Sequence, residues 1–218
     1  MRNKEKDEAA KAARRQRAMQ VAFELFAAEG IDPVTMPRIA EASGVARPSL
    51  YRYFSTKVDL VIAIYTWKWD EYIGERDSAR GPDGFAGMSA AEQLAWYLDS
   101  FVDLYRSHAD VLRFNYFLNP YLQREGVTPE QRQAYLAVAA AIRASFHELY
   151  EKALQDGTLR RDLSEEFLFS SSFHIMLAAA TRYAAGLVYL PDGGTEPEEE
   201  LVFLRDALLR RYASPTTE

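Results

Sequence analysis

Arg47, Pro48 and Ser49 stand side by side within residues 35–54 (TMPRIAEASGVARPSLYRYF), a stretch that also supplies hydroxyls at Thr35, Tyr51 and Tyr53. An arginine can donate two hydrogen bonds to guanine, a serine can reach a base edge or a phosphate, and a proline ring can pack on a thymine methyl. Threonine and tyrosine hydroxyls suit phosphate oxygens, contacts that position a protein on a duplex without reading its sequence. For Tyr51 and Tyr53 the alternative is that one ring packs beneath Phe54 as core. The 218 residues contain no phosphate loop, dinucleotide fingerprint, paired histidines or nucleophile motif, so an enzyme or carrier would need a site that cannot be named. Cysteine is absent and the three histidines are scattered, so neither a metal site nor a cofactor is expected.

Those side chains need a frame, and the same segment provides one. Thr35 is a good N-cap, Pro37 lies in the first turn where its missing N–H costs nothing, and Ile39 and Ala40 face inward. Gly44 supplies the left-handed residue that ends this helix, Val45 plugs the turn, and Leu50 returns onto Ile39 and Ala40. This is helix-turn-helix spacing, although a plain helical hairpin shares it. Upstream, residues 8–29 read as a helix with Ala18, Val21, Ala22, Leu25 and Phe26 as its buried stripe. Lys11, Arg14, Arg15 and Arg17 precede that stripe, either as a solvated helix start or as part of a cationic surface. Net charge is −6, but residues 1–60 hold 11 Lys/Arg against 8 Asp/Glu while residues 61–218 hold 15 against 24. A basic head on an acidic body suits a protein that presents one end to phosphate.

Elsewhere apolar residues recur at helical spacing, with interruptions at 30–33, 43–45, 54–56, 80–87, 119–129, 156–163 and 191–197. The expected fold is all-α with about nine helices. The expected domains are 1–60, with a charged N-terminal extension over 1–12, and 61–218. Residues 135–153 place Tyr135, Val138, Ala139, Ile142, Phe146, Leu149, Tyr150 and Ala153 on one stripe, whereas residues 167–186 are apolar all round. A helix of the second kind needs cover on both sides, by its own core on one and a second subunit on the other. The last helix, 198–212, also carries apolar residues beyond one stripe. The 167–181 run is too short and too polar to span a membrane. Residues 1–17 lack the apolar core of a secretory signal, so a cytoplasmic protein is expected.

Residues 14–65 resemble the N-terminal domain of the TetR family of transcriptional regulators: a basic helix ending in FELFAAEG, the T…IAEASGV turn, then PSLYRYF followed by STKVDL. The resemblance implies that the helix over 47–53 enters the major groove of a double-stranded DNA operator. Arg47, Pro48 and Ser49 are then the specificity candidates. Arg15, Thr35, Tyr51, Tyr53 and Lys57 are the candidates for backbone contact. Two departures stand out. Ala46 replaces the usual Ser or Thr cap, weakening the start of the recognition helix by about 1 kcal/mol. Arg38 stands where an acid usually completes a capping box and opposes the helix dipole; a nearby phosphate would reverse that penalty, so Arg38 is a further candidate for contact with the DNA backbone.

For residues 75–218 the resemblance supplies architecture only: middle helices around a ligand pocket, and a homodimer built through the last two helices. It implies a repressor that leaves its palindromic operator when a small organic effector binds. Trp67, Phe101, Tyr105, Phe114, Phe117, Phe146, Phe173 and His174 are the candidates for lining an apolar cavity. Recognition helices must stand about 34 Å apart to enter successive major grooves. The helix over 57–75, which joins the domains, is the natural lever. Activation, or binding without any ligand, is the alternative; a filled core would favour it.

Overall fold

The computed structural model describes residues 2–81, 84–85, 87–188 and 194–214. Nine helices run through them: α1 (Arg2–Glu29), α2 (Met36–Ser43), α3 (Arg47–Tyr53), α4 (Lys57–Arg80), α5 (Ala90–Ser107), α6 (Ala109–Glu125), α7 (Pro129–Asp156), α8 (Glu165–Ala184) and α9 (Pro197–Tyr212). Among the described residues the β content is one isolated antiparallel bridge, Leu159 with Ala213. The all-α expectation holds. No helix among them is long and apolar enough to cross a membrane.

Several boundaries differ from the sequence reading, among them the start of α1, which lies at Arg2 and not near residue 8. The interruption expected over 119–129 begins later, because α6 continues through Pro120 to Glu125. A proline inside a helix forfeits one backbone hydrogen bond and crowds the carbonyl four residues earlier, at a cost of ~3 kcal/mol. Phe114, Leu118, Tyr121 and Leu122, all buried on either side of Pro120, supply the opposing packing. An unexpected break separates α5 from α6 at His108 alone, where φ −133° and ψ 41° close the helix without any glycine or proline to announce it. Residues 191–193 of the last expected interruption lie outside the described residues.

The chain groups into two compact units. The first is Met1–Asp70 with Arg113–Leu136. In it α1 packs on α2 and α3, and the ring of Phe114 lies 5.8 Å from that of Phe23 and 6.2 Å from that of Phe26. Gly30 ends α1 at φ +87°, a left-handed conformation that favours glycine, and packs beside the Phe117 ring. An ion pair joins Arg124 to Asp32.

The second unit is Glu71–Leu112 with Ala137–Glu218. Here α5 packs on both α8 and α9. The N-terminus of α5 is closed locally by a capping box between Ser89 and Glu92. It is closed remotely by Asp156, which accepts from the Ala90 N–H at 2.7 Å, and by Thr158, whose hydroxyl accepts from the Ala91 N–H at 3.1 Å. Of its predicted stripe α7 buries Val138, Ile142, Phe146, Leu149 and Ala153 and half-buries Tyr135 and Tyr150, while Ala139 is exposed. In α8 the result is asymmetric: Leu168, Ser172, Met176, Ala180 and Thr181 are buried, while Phe167 and Ile175 stay 52% and 40% exposed. On α9, Phe203 is 64% exposed.

Candidate nucleic-acid interface

Thr35 caps α2 in extended geometry, its hydroxyl accepting from the Arg38 N–H at 3.4 Å. Gly44 ends the helix at φ +67°, and the Val45 N–H returns to the Ala40 carbonyl at 3.1 Å. Ile39, Val45 and Leu50 are buried together with the stripe of α1. The turn expected from sequence is therefore built, and it leaves α3 anchored by one fully buried side chain, Leu50. Ala46 makes no side-chain cap, as its residue type dictates.

The outer face of α3 is open. Arg47 and Pro48 are exposed, Ser49 is half-buried, and Tyr51 is 46% exposed. Arg52, which the sequence reading passed over, adds a second cation in the last turn of α3 and donates to the Ser49 hydroxyl at 3.3 Å. Its signal was the three-residue spacing from Ser49 on a helix. Arg15 lies with its guanidinium 4.9 Å from the centre of the Phe54 ring, which ties α1 to the end of α3.

Three other candidates are oriented differently from their expected roles. Arg38 makes a two-pronged ion pair with Glu29 at 2.5 and 2.7 Å. The hydrogen bonds from Arg38 hold the Glu29 carboxyl below the usual range, and those to Glu29 raise Arg38 in turn. The charge that opposes the α2 dipole is thus already matched by a carboxylate. Lys57 turns inward: its ammonium donates to the Asp32 carbonyl at 3.2 Å and sits 5.2 Å from the Tyr121 ring centre. Burial pushes its pKa down. The start of α4 is fixed instead by Thr56 and Asp59, each accepting from the other's backbone N–H.

Tyr53 is half-buried against Phe54, and its hydroxyl is enclosed with no hydrogen-bond partner. It is not among the groups offered outward, so the packing alternative describes it. An enclosed, unpaired hydroxyl costs free energy. Tyr53→Phe should therefore raise stability by about 1 kcal/mol, seen as a melting temperature higher by roughly 2–4 °C. A lowered melting temperature would show that the hydroxyl has a partner after all.

The expected ligand-contact residues do not form one group. Phe114 lies in the core of the first unit against α1, and Phe117 is half-buried beside Gly30. Trp67, also there, faces the Lys68 ammonium at 4.2 Å. In the second unit Phe101 and Phe146 meet through Phe169 and Phe173, with ring centres 4.5 to 5.5 Å apart. Tyr105 is half-buried, its pKa raised by burial. His174 is exposed on α8.

A cleft of about 230 Å³ opens elsewhere in the second unit, lined among others by Tyr72, Glu75, Arg76, Trp96, Asp103 and His108. None of the eight expected ligand residues borders it. Arg76 lies about 5.2 Å from the Trp96 ring centre and pairs with Asp77 at 2.9 Å. His108 is 3.3 Å from Glu75. Tyr72 donates to the Ser100 carbonyl, and burial pushes its pKa up to about 12. Among the described residues no three His, Cys, Asp or Glu side chains are gathered to hold a metal ion.

Residues 18–64 match the family described as bacterial regulatory proteins, tetR family. The chain is 27% identical over 169 residues to the HTH-type transcriptional repressor KstR2 of Rhodococcus jostii (strain RHA1), covering 75% of this chain and 76% of that one. Its fold is similar to that of the fatty acid degradation regulator FadR from Bacillus halodurans, with TM-score 0.68 and 16% identity over 89% of this chain and 94% of that one. It is also similar to FadR from Bacillus subtilis in complex with stearoyl-CoA, with TM-score 0.63 and 18% identity over 89% and 95% of the two chains.

Proposed function

The chain belongs to the TetR family of DNA-binding transcriptional regulators, and from that premise we propose that it is a repressor which leaves its operator when a small organic ligand binds its second unit. The observation that carries this reading is the division of labour on α3. One side chain, Leu50, is buried as an anchor, while Arg47, Pro48 and Tyr51 are left facing outward with no structural task. Arg47 reads guanine, Pro48 and Ser49 adjust the neighbouring base contacts, and Tyr51, Thr35 and Arg15 hold phosphates. Arg38 joins them only by exchanging Glu29 for a phosphate. Repression is favoured by the relative from Rhodococcus jostii, itself a repressor.

Phe167 and Ile175 on α8 and Phe203 on α9 are large apolar side chains left exposed, and a second copy of the chain covers them. Two-fold symmetry then dictates a palindromic operator with half-sites about one helical turn apart. The ligand enters the cleft beside Tyr72, Trp96 and His108. A regulator of similar fold holds stearoyl-CoA, which supports an organic ligand in this architecture. Helix α4 carries Lys57 at one end and the cleft residues Tyr72, Glu75 and Arg76 further along. A ligand that favours one setting of this helix weakens DNA binding by its differential affinity for the two states. No enzymatic step is part of this reading.

The test is a base-by-base comparison. Duplexes selected from a random library with the wild type and with Arg47→Ala should differ by loss of a guanine preference at one position per half-site. That loss is worth ~1–3 kcal/mol. Identical preferences in the two selections would remove Arg47 from the recognition set.

A further inference from the structure

We propose that Lys11 and Arg14, in the exposed first part of α1, form a second DNA-contacting element that follows the phosphate backbone beside the helix-turn-helix. The inference rests on the DNA-binding reading above. Helix α1 begins at Arg2, yet its first buried residue is Ala18, and every residue from 6 to 17 is exposed. Those twelve residues extend roughly 18 Å as helix, so a long piece of regular structure is held out in solvent, with Arg15 reaching back to the unit through Phe54.

Its charge is one-sided in composition. Residues 6–17 carry Lys6, Lys11, Arg14, Arg15 and Arg17 against only Asp7 and Glu8. Lys11 stands 3.8 Å from Glu8, an exposed pair of little worth that a phosphate can displace.

Helical spacing gives the direction. Ala18, Ala22 and Phe26, spaced by four residues, form part of the stripe by which α1 packs in the first unit. Continued upstream by three and then four residues, the same stripe reads Arg15 and Lys11. Over residues 11–15 the gripping face of α1 is therefore cationic, with Asp7 and Glu8 one turn further out on the same side. Arg15 shows what lies on that side, since its guanidinium stacks on Phe54, the residue that closes α3. Lys11 is one turn further out, and Arg14 flanks the two. A duplex docked on the outer face of α3 brings its phosphates to this side of α1. Lys6 and Arg17 fall on the opposite side of the helix and face solvent.

The paired variants Lys11→Ala/Arg14→Ala and Lys6→Ala/Arg17→Ala remove equal charge from one helix, and alanine at exposed helical sites preserves the fold. Binding is read by fluorescence anisotropy across a salt series on two 40-base-pair duplexes, one of random sequence and one selected by the wild type. The first variant should flatten the log–log salt slope by about 1.8 per bound subunit, that is ~0.9 per lost phosphate contact and about 3.6 for a dimer on its operator, with binding weaker by about tenfold or more at moderate salt. The second should behave as wild type. An unchanged slope for Lys11→Ala/Arg14→Ala, or an equal change for both pairs, overturns the proposal. Should the first pair lose helicity, Lys11→Gln/Arg14→Gln repeats the measurement. A wild type that selects no sequence at all would sink the regulator reading, whereas the comparison on random duplex still decides this one.

Discussion

Phe203→Glu yields a monomer by sedimentation, with affinity for a palindromic operator reduced by two orders of magnitude or more. Phe203 is 64% exposed in the isolated chain, so no core contact is lost and the fold survives the change. In the proposed dimer the same ring is covered by the second subunit along with Phe167 and Ile175, where an unpaired carboxylate cannot be accommodated at modest cost. The DNA penalty follows from geometry: a monomer engages one half-site and loses the gain from binding both together. If Phe203→Glu remains a dimer and binds normally, subunits meet elsewhere.

The second large effect falls on α3. Leu50→Ala should destabilise the first unit by ~2–5 kcal/mol, the range for truncating a fully buried leucine. The consequence for DNA exceeds that of an ordinary core change, because α3 has seven residues, no side-chain cap at Ala46 and no other buried side chain. With Leu50 truncated, nothing positions Arg47 and Tyr51. Hydrogen exchange should quicken across α2 and α3 while amides of α5, α8 and α9 keep their protection. Equal loss of protection in both units would show that they unfold as one.

Much of this was legible in the sequence, for identifiable reasons. The turn at Gly44, the anchoring by Leu50 and the missing cap at Ala46 are local: each follows from what one residue type allows in one backbone conformation. That α8 leaves apolar residues uncovered was legible, since an all-apolar helix cannot bury both faces within one small unit, but which side is buried was not. What was hidden is mostly long-range. Nothing in residues 113–136 announces that they share a unit with the first 70 residues. That grouping sends Phe114 into the core around α1 and Phe117 beside Gly30. Arg38 reads as a phosphate ligand until Glu29, nine residues away, is brought against it. Lys57 reads as an outward cation until the Asp32 carbonyl and the Tyr121 ring turn it inward. Helix α6 runs through Pro120 because buried neighbours on both sides outweigh a penalty that local rules treat as decisive. The cleft escaped notice because its walls are Tyr72, Arg76, Trp96 and His108, a mixed set with no single-residue signature.

Selection of duplexes from a random library by the purified full chain, followed by anisotropy at two salt concentrations, tests the central claim most directly. The expected result is a palindromic consensus bound far more tightly than random sequence, with affinity falling steeply as salt rises. Recovery of no preferred sequence, with binding at background even in low salt, would contradict the account of α3 as a reading head.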